Sequence, residues 1–312
     1  MEVGAHSRWA SHLLKELGHE VLVANARPRP LGPRGKLRAI YHNPRKDDRT
    51  DAETLARLAR LDPSLLSPIH HRSPQAQADL SVIRSRDALV RSRTLLINHA
   101  RSMVKSTGAR LPSCSADSFA HKVAPSIPEP LQPALLPILD TVAALTQQIC
   151  FYDHRIVTLC QEQYPEVELL QPVAGVGALT ALAYVLTLED PQRFRKSREV
   201  EPALGLVPRR DQSGGRDPQL RITKTGDTYL RRLLVGSAQY ILGPFGPDCD
   251  LRRWGLKLAE RGGKNAKRRA VIAVARKLAI LLHHLWKTGE IYDPFYQSQR
   301  LDNEGSVVSK AA

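Results

Sequence analysis

Between Pro74 and Ala109 the chain carries no proline or glycine other than Pro74 itself and Gly108. A breaker-free stretch of that length satisfies its own backbone hydrogen bonds only as one continuous helix. A second helical pattern spans residues 135–164, where Leu135, Leu139, Val142, Ile149, Ile156 and Leu159 mostly keep helical spacing. The connection between the two holds Pro112, Pro125, Pro128, Pro130 and Pro133. Two long helices joined this way fold back on each other, as an antiparallel coiled-coil hairpin or as part of an ordinary helical bundle. The pattern alone leaves both open.

The flanking segments differ from the hairpin and from each other. Near the N-terminus, Trp9, Leu13, Leu14 and Leu17 mark a helix that Gly18 stops. Residues 20–25 then read as a short buried strand. One strand makes no sheet, so this is half of an α/β unit whose neighbours come from elsewhere or from a piece preceding Met1. A loop rich in Arg, Pro and Gly at residues 28–33 leads to an amphipathic helix over residues 52–60, ended by Asp62 and Pro63. Beyond Glu166 the chain is punctuated by glycine and increasingly basic, and it closes on a helix with the apolar stripe Val271, Val274, Leu278, Leu281 and Leu285. After Trp286 it reads as a loose tail. The expected organisation is therefore residues 1–72, 73–165, 166–288 and a tail from 289 to 312.

Lys and Arg total 46 against 31 Asp and Glu, a formal charge of +15. An excess of that sign favours a polyanionic partner, because each neutralised phosphate releases counterions. The alternative is a basic surface with no nucleic acid. Aromatic residues are 5% of the chain, so Leu, Val, Ala and Ile must build the core. Cys114, Cys150, Cys160 and Cys249 form no CxxC pair and suit a reducing compartment. No signal peptide and no apolar run long enough to cross a bilayer is evident, which points to the cytoplasm.

Four constellations can carry chemistry. Asp48 and Asp51 stand three apart at a helix start, with Glu2 just before the first helix. Three carboxylates on an α/β scaffold suit Mg²⁺, although Asp at a helix N-terminus is also favoured by capping alone. Residues 173–181 (VAGVGALTA) resemble the hairpin of a helix-hairpin-helix motif, with Gly175 and Gly177 for the turn and the next helix offering its amides to a phosphate. A plain structural turn is the competing reading. Ser213 precedes Gly214 and Gly215 in a segment flanked by Arg209, Arg210, Arg216, Arg221 and Lys224. A serine exposed in a positive field is what attack on a phosphodiester needs, whereas a solvated Ser-Gly-Gly turn needs only water. Residues 252–277 hold ten Lys or Arg against the single acid Glu260, densest at Lys264, Lys267, Arg268 and Arg269. That bias favours a phosphate-tracking surface over a merely solvated helix face.

In this order and spacing the pieces resemble the transposases of the insertion sequence 110 family, with its 116 and 902 groups and related DNA invertases. The resemblance covers nearly the whole chain. It rests on Glu2 and the helix and strand up to Asn25, on residues 46–53 (KDDRTDAE), 174–177 (AGVG), 194–196 (FRK), 205–208 (GLVP), 213–215 (SGG), 222–227 (ITKTGD), 230–232 (LRR) and 275–278 (ARKL). Ala174 stands where that hairpin usually has proline.

The resemblance implies an α/β RuvC-like (RNase H) domain, a coiled-coil hairpin and a mostly α C-terminal transposase domain. It further implies an Asp-Glu-Asp-Asp site for Mg²⁺ or Mn²⁺, to which Glu2, Asp48 and Asp51 correspond, and a serine nucleophile, to which Ser213 corresponds. DNA, a structured guide RNA and homo-oligomerisation as a dimer or tetramer are the implied partners. It places a first aspartate upstream of Glu2, so the chain is expected to begin inside that domain. The expected function is DNA cutting and rejoining for an insertion sequence; the alternative is a truncated, inactive remnant that only binds nucleic acid.

Overall fold

The computed structural model describes residues 1–24, 47–66, 68–218, 220–263 and 265–299. The strand end at Asn25, the loop at 28–33, Lys46, the candidate contact Lys264 and the far tail lie outside them. The described chain is mostly helical. It divides into two compact units, one of Met1–Ser73 with Pro208–Arg221 and one of Pro74–Val207 with Ile222–Ala312.

In the first unit, Met1 to Val3 runs parallel to strand β1 (Val23–Ala24), with Val3 N donating to Ala24 O at 2.9 Å and Ala24 N to Met1 O at 2.7 Å. Helix α1 (Ser7–Glu16) makes the crossover that a parallel pairing requires. Strand β2 (Pro68–Ile69) pairs antiparallel on β1, Val23 opposite Ile69. The strand that looked orphaned in sequence thus has two short neighbours. Helix α2 (Asp48–Leu61) starts four residues earlier than its apolar pattern, because the carboxylate of Asp47 accepts from Arg49 N and caps it. The apolar spacing of α1 does not mark its buried side. Ser7 and Ser11 are buried, while Trp9, Leu13 and Leu17 are exposed. Burial of those serines is tolerated because each hydroxyl is satisfied locally, Ser7 donating to Gly4 O at 2.9 Å and Ser11 to Arg8 O at 2.8 Å.

The second unit is built on helix α3 (Pro74–Ser106), helix α4 (Phe119–Val123) and helix α5 (Gln132–Glu162). Asp79 meets Tyr164, Arg86 meets Asp153 and Arg93 meets Thr146, so α3 and α5 run antiparallel. At about 1.5 Å per residue each reaches roughly 45–50 Å. Pro133 is tolerated at the start of α5, where the first amides have no intrahelical acceptor, whereas Pro137 lies inside the helix and removes one intrahelical bond. Residues of α4 close a core at the hairpin tip, with Phe119, Val123 and Ile127 against Ile97, Ala100, Val104 and Leu139. By length and composition alone, residues 129–162 are apolar enough to cross a bilayer, which the sequence reading does not anticipate. Within that stretch Asp153 nevertheless pairs with Arg86.

At the other end of the hairpin the core continues from Leu80, Ile83 and Ile156 into the C-terminal helices. These are α6 (Val167–Leu170), α7 (Ala178–Leu188), α8 (Val200–Ala203), α9 (Thr228–Leu242), α10 (Asp250–Glu260) and α11 (Ala266–Thr288). Helix α7 is buried on nearly every side, and the Tyr184 hydroxyl donates to Ala279 O of α11 at 2.7 Å. The expected loose tail is anchored as far as it is described. Asp250 accepts from the amides of Gln297 at 2.8 Å and Ser298 at 3.0 Å, and Arg253 lies over the Phe295 ring.

Candidate functional site

Ser213 sits at the tip of a small hairpin. Its amide donates to Arg216 O at 3.2 Å and Arg216 N returns the bond at 3.1 Å, closing a two-residue turn through Gly214 and Gly215. Gly214 takes φ 57°, the positive value that a type II′ hairpin turn demands of its first central residue. Below the tip, Arg209 N donates to Arg221 O at 2.9 Å. The ladder goes on at the stem, with Thr223 N to Val207 O at 2.9 Å and Lys224 N to Gly205 O at 3.1 Å. Ser213 is exposed, as are Arg210, Arg216, Arg221 and Lys224, while Arg209 is half-buried. Arg210 pairs with Asp217 at 3.6 Å.

The stem is fixed from below by residues of the segments 205–208, 222–227 and 230–232, to which the sequence assigns no role. Arg231 is buried on α9 and donates to Leu204 O at 2.9 Å and Thr225 O at 2.7 Å. Burial lowers its pKa, but the three acceptors around it hold the guanidinium in place. Asp227 caps α9 by accepting from Leu230 N at 2.9 Å and also pairs with Arg84 of α3 at 2.6 Å. Gly205 and Gly226 have positive φ, and a Cβ on either would overlap backbone across the stem. In sequence, Arg231 is half of a basic dipeptide, and only the paired backbone reveals its role.

The acids are arranged differently from the expectation. Glu2 lies beside β1 through its bridge to Ala24, and Asp48 and Asp51 occupy the first turn of α2. Glu2 and Asp48 are exposed and Asp51 is half-buried. Among the described residues no three His, Cys, Asp or Glu come together as metal donors. As placed, these carboxylates do not fit a shared divalent cation. They do share a compact unit with the Ser213 hairpin.

The Gly175 and Gly177 hairpin divides its roles. Gly175 has φ 74° and approaches α9 so closely that a Cβ would lie 2.9 Å from Ser237 O. Gly177 is instead the extended N-cap of α7, with no side chain capping the helix. On the basic stretch, Lys267, Arg268 and Arg269 are exposed in the first turn of α11, which contains no acid. Cations at the positive end of a helix oppose its dipole, each costing about 0.3–1 kcal/mol.

The described residues thus show a mostly helical chain with an exposed serine on a tight hairpin turn and an exposed basic turn at the start of α11. Residues 167–247 match the family described as transposase IS116/IS110/IS902 family, and residues 1–108 match a second family described as transposase. The chain is 30% identical to a Pseudomonas aeruginosa protein described as a probable family 20 transposase, over 93% of this chain and 84% of that one. It is 29% identical to the transposase for insertion sequence element IS1111A of Coxiella burnetii, over 81% and 70% of the two chains. It is also 29% identical to the transposase for insertion sequence element IS1328 of Yersinia enterocolitica, over 77% and 69%. The chain belongs to the IS110/IS116/IS902 family of transposases.

Proposed function

We propose that this transposase cuts and rejoins DNA strands through Ser213. The observation that carries the reading is the hairpin itself, an exposed hydroxyl on a two-residue turn closed against Arg216. The Ser213 oxygen attacks the phosphorus of a phosphodiester, its proton leaving to a base. The displaced DNA oxygen leaves as a hydroxyl, and a serine–phosphate ester links protein to strand. A hydroxyl of the incoming strand reverses the step and restores the serine, so the bond energy is conserved. The cations nearby offset the negative charge that builds on the phosphoryl oxygens.

Backbone contacts come from the amides following Gly175 and Gly177, and from Arg209, Arg210, Lys267, Arg268 and Arg269. Such contacts position DNA without reading its sequence. The RuvC-like character of the first unit, Mg²⁺ or Mn²⁺ at Glu2, Asp48 and Asp51, a structured guide RNA and action in the cytoplasm belong to this reading through the resemblance. Because the acids do not cluster as placed, no step is routed through a cation. Homo-oligomerisation through the hairpin, as a coiled coil, is supported by Leu95, Phe151 and Val157 exposed along its two helices.

Incubating the protein with DNA carrying its element's ends and denaturing the mixture tests the serine. A covalent protein–DNA adduct is expected, lost in Ser213→Ala while DNA binding persists. Binding without any adduct in the unsubstituted protein overturns the cutting role and leaves a nucleic-acid binder.

A further inference from the structure

Between the Gly175 hairpin and the face of α9 lies an open groove of about 620 Å³, lined among others by Gly175, Gly177, Thr180, Arg232, Ser237 and Tyr240. Its volume falls in the range of small-molecule sites, ~300–1,000 Å³. At one end the amides of Ala178, Leu179 and Thr180 precede the first intrahelical bond of α7, Ala181 N to Gly177 O at 3.0 Å, and no side chain caps them. Helix starts of this kind attract anions, but an uncapped start alone is no site.

Thr180 supplies the second observation. It is 8% exposed, lines the groove and has no hydrogen-bond partner among the described residues. Other helical threonines here, Thr94, Thr141, Thr146 and Thr158, donate to the carbonyl four residues back. The Thr180 hydroxyl makes no such bond, and it is not sealed from solvent, so it stays open to an acceptor that enters the groove.

Tyr240 also lines the groove, 48% exposed, its Cδ1 3.2 Å from where a Cβ of Gly175 would lie. The side chain is thus packed against glycine backbone with the rest of it open. Arg232 also lines the groove, steadied by its pair with Asp87 and by the Tyr229 ring 4.9 Å beneath its guanidinium. A hydroxyl beside free amides and an exposed aromatic in the same groove match the two halves of a nucleotide, an anionic phosphate and a flat base.

We propose that this groove seats one unpaired nucleotide of the DNA strand, its phosphate on the α7 amides and Thr180 Oγ1 and its base against Tyr240. The proposal rests on the reading of the chain as a DNA-handling protein and narrows it, since a base reaches an aromatic ring only where the strand is unpaired. A strand opened for exchange presents such a nucleotide.

Fluorescence anisotropy with a labelled single-stranded oligodeoxynucleotide, and with an abasic strand of the same length, separates the two halves. Tyr240→Leu is expected to weaken binding of the base-bearing strand about tenfold and to leave the abasic strand unchanged. Thr180→Val, nearly isosteric, is expected to weaken both strands about tenfold. Tyr240 is exposed and Val fills the volume of Thr, so both variants should keep the helical circular dichroism of the unsubstituted chain. Equal losses on both strands for Tyr240→Leu, or none on either, overturn the base seat, and no loss for Thr180→Val overturns the phosphate seat. In either case the unsubstituted chain would still bind DNA. Failure of the unsubstituted chain to bind any strand instead refutes the DNA-handling reading and the groove with it.

Discussion

Lys224 holds φ 56° at the stem of the Ser213 hairpin, a left-handed conformation that disfavours every residue with a side chain. The cost is about 1–2 kcal/mol relative to an ordinary backbone. Nearby Gly205 and Gly226 take similar φ values, 67° and 75°, so glycine was available to this segment and lysine stands there instead. Its side chain is exposed, and the proposed DNA contact would account for a lysine at this position. Lys224→Gly should leave thermal stability unchanged or raise it by up to about 1 kcal/mol, because relief of strain is offset by added freedom in the unfolded chain. The same variant should bind DNA more weakly. A variant that is markedly less stable would show that Lys224 packs rather than binds. Gly226→Ala is the opposite case, since its new Cβ meets the Ala203 carbonyl at an unfavourable φ. It should cost at least about 2 kcal/mol, read as a lowered melting temperature.

Elements with dense local signals were legible, and those made by long-range pairing were not. The long α3 follows from the absence of breakers between Pro74 and Gly108, and the end of α2 at Leu61 from Asp62 and Pro63 behind it. The Ser-Gly-Gly turn was legible too, through its paired glycines. Its stem was hidden, because residues 205–209 and 221–224 show no alternation and meet through a few bonds only. For the same reason nothing in sequence marks Thr180 or Tyr240 as neighbours, since that groove exists only once α7 and α9 pack. Helix α1 misleads in the other direction, burying satisfied serines and exposing its leucines.

One element contact also carries a pH signature. His283 on α11 is fully buried, its Nδ1 3.0 Å from Ser197 Oγ and its Nε2 2.9 Å from Pro191 O, so it ties α11 to the segment between α7 and α8. Burial holds its pKa below the ordinary value of 6.5. The unfolded chain therefore takes up the proton first as pH falls, and stability complete above about pH 7 declines through the range below about 6.5. His71, also lowered mainly by burial, contributes with the same sign. Melting temperature should fall between about pH 7 and pH 5, less steeply in His283→Gln. An unchanged slope would show that His283 is not the titrating group.

At the scale of the whole molecule, the net charge of +15 is not spread evenly. Some cations on the hairpin are answered by acids, Arg84 by Asp227, Arg86 by Asp153, Arg93 by Asp117, and Arg91 by Asp87, which Arg232 of α9 shares. The start of α11 has no such partners in its first turn, and Lys267 and Arg268 make no ion pair among the described residues. If these two side chains contact phosphates, as proposed, their binding would release counterions. Each phosphate contact on duplex DNA contributes about 0.9 to the slope of log affinity against log salt. Replacing Lys267 and Arg268 together by glutamine should lower that slope by nearly two and leave melting temperature unchanged or slightly raised, since the helix dipole is then less opposed. Tyr240→Leu and Thr180→Val remove no charge and should leave the slope intact while weakening affinity. An unchanged slope in the double glutamine variant would place the phosphate track elsewhere, leaving the Ser213 hairpin as the principal basic surface.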